Sequence, residues 1–157
     1  MINMSWIKKI LIFLTISFLA IQFMQPAHNS DPRLLPIDLT RTVQVPGQVL
    51  DILKRSCYDC HSNQSRYPWY INVQPIGWVM AAHIRDGKDN LNFSEFGAYS
   101  KRKQANKLRA IVSSISDGLM PLSSYTLVHM EARLGKQERD AITEWSARTK
   151  DSLMVTE

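Results

Sequence analysis

The sequence predicts an all-α protein in which one small helical domain follows a single N-terminal transmembrane helix. Three observations lead there. An uncharged apolar run fills residues 10–24, apolar residues recur at spacings of three and four further on, and no convincing period-2 run or internal repeat competes with them. A chain of 157 residues has the length of one domain. Its hydrophobic share of 45% and charged share of 21% are ordinary, so the first run is a local feature and not a bias of composition.

Residues 1–25 read as a membrane anchor. In ILIFLTISFLAIQFM only Thr15, Ser17 and Gln22 are polar. A span needs about 20 predominantly apolar residues, which Trp6 to Gln25 supplies if Lys8 and Lys9 snorkel toward the headgroups. A cleaved signal peptide suits the same run, but no A-x-A pair of small residues lies between Ala20 and Ser30, so the reading is an uncleaved signal-anchor. Lys8 and Lys9 precede the run and Asp31 and Arg33 follow it, which predicts a single-pass protein of the inner (cytoplasmic) membrane with its domain on the periplasmic or extracytoplasmic side. The net charge of +5 includes those two lysines, and the remaining excess is too small to argue for nucleic acid.

Residues 26–45, with Pro26, Pro32 and Pro36, read as a proline-rich tether, the domain as residues 46–150, and residues 151–157 as a tail. Val49, Leu50, Ile52 and Leu53 predict a helix from Gln48 running into Cys57. A second helix is expected over about Ile76 to Arg85, stopping at Gly87, and a third from Ser100 to Ser116, ending at Asp117-Gly118. In the third, Ala105, Leu108, Ile111, Val112 and Ile115 form the apolar stripe, and Lys101, Arg102, Lys103, Lys107 and Arg109 read as a solvated face that would also suit an acidic partner or anionic lipid. The last helix starts near Lys136 and includes Ala141, Ile142 and Trp145.

Both cysteines fall in Cys57-Tyr58-Asp59-Cys60-His61, a C-x-x-C-H pattern and the signature of haem attachment. Two thiols three residues apart each reach one haem vinyl group, and the adjacent histidine then serves as the proximal iron ligand. A disulfide or thiol oxidoreductase site uses the same spacing but expects a βαβ setting, and a zinc site needs a fourth ligand such as His83 or His129. For the distal iron position the candidates are Met120, His83 and His129. Met120 leads because Gly118 and Pro121 shape a loop able to present its sulfur, although a methionine near a helix end is more often core.

Five segments, CYDCHSN, YPWY, GWVMAAH, LNFSEF and MPLSSYTLVHMEARL, follow one another between about Pro46 and Lys150. Together they resemble the small haem-binding domain family of membrane-anchored, exported monohaem c-type cytochrome-like proteins. The resemblance implies one covalent haem c held by Cys57, Cys60 and His61, with Met120 as the distal ligand. The G-x-M-P element is also similar to that of class I cytochromes c. That likeness implies crossed first and last helices, here the one before Cys57 and the one carrying Ile142 and Trp145.

Tyr67, Trp69, Tyr70 and Trp78 are candidates for the haem pocket, with packing or surface anchoring as the plainer reading. Arg66 is a candidate partner for a haem propionate. His129 follows Tyr125 by four residues, which places the two on one face of a helical turn. The expected function is single-electron transfer with unidentified redox partner proteins, by a non-enzymatic carrier. A haem-based redox or gas sensor is the alternative, ahead of a haem peroxidase using His83 or His129 as its acid-base group.

Overall fold

The computed structural model describes residues 4–155. Among them no strand forms; an isolated bridge joins Ser30 and Gln64. The first helix, α1 (Met4–Ile21), has 18 residues and is about 27 Å long, against a hydrocarbon core of about 30 Å. Lys8 and Lys9 lie within it. No helix among the described residues is long and apolar enough to cross a membrane. This overturns the expected N-terminal transmembrane helix, and with it the single-pass inner-membrane localisation that rested on that helix.

The physical reason lies at the C-terminal end of α1, where the expected span needed residues 22–25. Those residues belong to the domain instead. Gln74 N–H donates to Gln22 Oε1 at 2.9 Å and Gln74 Nε2 to Gln25 Oε1 at 2.9 Å, while Gln25 Nε2 donates to Asn72 O at 3.0 Å. Trp78 Nε1 donates to Met24 O at 2.8 Å.

Residues 26–45, expected as a tether, lie along the domain. Asp31 N–H donates to Asn63 O and Ser65 N–H to Asn29 O, each at 2.9 Å. Short helix α2 (Leu39–Thr42) is capped by Asp38, whose Oδ1 accepts from Thr40 N–H at 2.9 Å, and it buries Leu39 against the 3-10 turn Phe93–Ala98.

Helix α3 (Gly47–Ser56) buries Val49, Ile52, Leu53 and Ser56, a stripe at spacings of three and four. The chain breaks at Cys57 (φ −129°, ψ −38°) and resumes as α4 (Tyr58–His61). Helix α5 (Ile76–Asn90) continues past the expected stop at Gly87 because the next turn closes normally, with Leu91 N–H donating to Gly87 O at 2.8 Å.

Helix α6 (Lys101–Ser116) starts at Ser100, whose hydroxyl caps Lys103 N–H, and ends as expected at Asp117-Gly118. Gly118 takes the left-handed conformation (φ 68°), so Gly118 N–H reaches Ile115 O at 3.2 Å and Leu119 N–H reaches Ser114 O at 2.9 Å. This is a Schellman cap, which a glycine adopts without the Cβ penalty.

After α7 (Ser123–Val128) the last helix, α8 (Lys136–Val155), begins where Glu138 Oε2 accepts from Gly135 N–H at 2.9 Å. Helix α3 meets α8, and Arg55 pairs with Glu138 at 2.5 Å. The principal partner of α8 is nevertheless α6. Their shared core holds Leu53, Phe93, Phe96, Leu108, Ile142 and Trp145, all buried.

Candidate functional site

A cavity of about 350 Å³ lies between α5, α6 and the α3–α4 junction. Helix α5 lines it with His83, Asp86, Gly87 and Asn90, and α6 with Lys107, Ala110, Ile111 and Ser114. Both sets follow the i, i+3, i+4, i+7 spacing of one helix face. Ser56, Cys57, Asp59, Cys60 and His61 form another wall, and Met120, Pro121, Leu122 and Tyr125 line it from the segment after α6.

His61 is held with its tautomer defined. Its Nδ1 lies 2.9 Å from Gly87 O and 3.0 Å from Leu91 O. Both are acceptors, so Nδ1 carries the hydrogen and Nε2 keeps its lone pair. Burial pushes the imidazole pKa below its ordinary value, opposed by the two carbonyls, which favours the neutral ring.

Cys57 and Cys60 are free thiols. Burial pushes Cys57 up to about 12, with Cys60 adding to the shift, and pushes Cys60 up to about 11, with the neighbouring Asp59 carboxylate adding to it. Both are protonated at neutral pH.

Of the two residues between the cysteines, Asp59 has a structural task. Asp59 is buried; its carboxylate accepts from Tyr125 Oη at 2.6 Å, from Arg66 N–H at 3.0 Å and from Arg66 Nε at 3.0 Å. Arg66 Nη2 also donates to Arg55 O at 3.1 Å. The Arg66 guanidinium, a candidate for a cofactor carboxylate, is thus committed to Asp59. Burial and the adjacent Asp59 carboxylate push the Tyr125 hydroxyl pKa well up, so it acts as a neutral donor.

Met120 follows the α6 cap, with its N–H donating to Ser114 O at 3.2 Å and its side chain 37% exposed. His83 lines the same cavity, but His129 does not. His129 stacks on Tyr125 at 4.3 Å, as their four-residue spacing predicts, and its Nε2 bonds Tyr70 Oη at 2.6 Å.

The pocket aromatics expected from sequence lie elsewhere. Tyr67 stacks on His28 at 4.2 Å, Trp69 is 78% exposed, and Trp78 reaches back to the segment after α1. Their place is taken by residues the sequence did not single out for the site, namely Phe93, Ile111, Tyr125 and Leu134. Nothing local marks these: Asp59 and Tyr125 meet across 66 positions.

Among the described residues no three His, Cys, Asp or Glu side chains are grouped to hold a metal ion, so the zinc arrangement with His83 or His129 does not form. The donors instead suit a planar, largely apolar group. Two thiols and one imidazole nitrogen line one wall, a thioether lines the cavity from another segment, and the buried Ser56 hydroxyl there has no partner among the described residues.

The fold and site thus define an all-helical protein with a thiol-and-imidazole cavity. The model of the haem-binding domain family matches residues 16–148, and the chain belongs to that family. It is a haem-binding protein. Neither the curated proteins nor the solved structures contain a match.

Proposed function

We propose that the chain holds one haem covalently, through thioethers from Cys57 and Cys60, with His61 Nε2 as proximal and Met120 sulfur as distal ligand, and that it transfers single electrons between redox partner proteins. The observation that carries the reading is the pairing of two thiols with a histidine whose Nδ1 is occupied, all lining one apolar cavity with Met120.

Cys57 and Cys60 would hold the group through thioethers, each S–H adding across one vinyl double bond with sulfur on one carbon and hydrogen on the other, which would consume no oxidant. A bound haem supplies a one-electron iron couple. The apolar lining restricts water, the Gly87 and Leu91 carbonyls orient His61, and the Asp59–Arg66–Tyr125 network secures the α4 turn. A thioether ligand favours ferrous iron and raises the potential, which suits a carrier. Raised thiol pKa values argue against thiol–disulfide exchange, which needs thiolate.

Haem staining of the denatured polypeptide combined with a mass measurement tests attachment. The expected result is a stained band one haem heavier than the polypeptide, lost in the double variant Cys57→Ser, Cys60→Ser. Haem that extracts into acidified solvent from the wild type overturns the covalent reading. The partial exposure of Met120 favours one second reading, a sensor in which this side chain is displaced. Immediate carbon monoxide binding by the reduced wild-type protein selects the sensor, and slow or absent binding selects the carrier.

A further inference from the structure

We propose that Lys107 is the residue that binds a carboxylate of the group held in the cavity, the propionate edge of a porphyrin. The inference rests on the haem reading above and adds its missing anionic contact. Arg66, the first cation after the C-x-x-C-H motif in sequence, is taken by Asp59.

Lys107 begins the α6 stripe that lines the cavity and is half-buried there. Among the described residues its ammonium meets no acceptor, and no other Lys or Arg lines this cavity. Lys103, one turn earlier, is engaged over the Tyr99 ring at 4.6 Å. The cavity's two carboxylates are already matched, Asp59 by Arg66 and Asp86 by Arg85. An unmatched ammonium partly withdrawn from water along an apolar wall is costly unless an anion meets it.

The position suits the chemistry. Asp86, Asn90 and Ala110 are exposed, so the cavity opens to solvent between α5 and α6, on the side where Lys107 lies. A protoporphyrin carries its two propionates on the edge opposite its vinyl groups. With the vinyl edge at Cys57 and Cys60, the carboxylates would lie on the side away from the α3–α4 junction. A lysine stem packed on the apolar wall then leaves its ammonium free to meet one of them at the solvent boundary.

The test titrates the reduced, cofactor-free full chain with iron protoporphyrin and, separately, with its dimethyl ester, following Soret absorbance. In Lys107→Gln, affinity for the free acid is expected to fall about fivefold while affinity for the ester is unchanged. Lys107→Arg should restore binding of the acid, and circular dichroism checks that each variant is folded. An equal loss for acid and ester, or no loss for the acid, overturns the role of Lys107 and leaves the haem reading intact. A wild-type chain that takes up neither porphyrin overturns both.

Discussion

His61 and Met120 line the same cavity, but His61 is gripped through its ring by two backbone carbonyls of the Gly87–Leu91 turn, whereas Met120 is fastened through its own N–H to Ser114. The wall around His61 is tied across the chain: Asp59 joins Arg66 and Tyr125, and α5 comes so close that a Cβ on Gly87 would lie 2.6 Å from Cys60 O. Met120 itself, five residues before the Tyr125 anchor, is placed by the helix cap at Gly118. One side is therefore fixed by tertiary contacts and resists change. The other is set locally and can yield.

The largest test of this contrast is Asp59→Ala, which strands the Tyr125 hydroxyl and frees a partly exposed Arg66. Urea unfolding should show a loss of about 2–3 kcal/mol. A loss below about 0.5 kcal/mol would mean that the network does not brace this wall.

Next is Gly87→Ala. Alanine is the better helix former by about 1 kcal/mol, yet the added Cβ must displace the Cys60 backbone, so a net loss of about 1–2 kcal/mol is expected. A stabilised variant would show that the approach of α5 to α4 is looser than the contact implies.

Met120→Ala should cost less than about 1 kcal/mol, because the side chain is 37% exposed. On the proposed ligand set, the loaded protein is expected to keep covalent haem and lose the iron-to-sulfur absorption band. An unchanged band redirects the assignment to His83, which shares the cavity.

The smallest expected effect is on pH dependence in the cofactor-free chain. Burial lowers the folded pKa of His61 below its unfolded value near 6.5, so the folded state binds fewer protons there. This contribution is present above the unfolded pKa and is lost as pH falls through the folded one. The urea midpoint should decline on acidification below about pH 6.5, and His61→Gln should flatten that decline.

Much of the fold was legible from periodic patterns. Gln48 onward, Ser100 to Ser116 and Lys136 onward became α3, α6 and α8, because each carries its apolar stripe and a local start or stop signal. The α1 reading failed for the opposite reason. Hydropathy registers a run of side chains, but the glutamines at 22 and 25 are used in hydrogen bonds to residues 72 and 74 that no window over the run reveals.

The sequence by itself determined the helical class, the C-x-x-C-H spacing of Cys57, Cys60 and His61, and the Gly118 turn before Met120, because each depends on neighbours within a few residues. Only the tertiary structure decided which side chains share the cavity. It sent Arg66 to Asp59, Trp69 to the surface and His129 to Tyr70, and it brought Lys107 to the cavity wall. Those placements follow from how helices pack against one another, and contacts between residues dozens of positions apart leave no periodic or motif signal in a single chain.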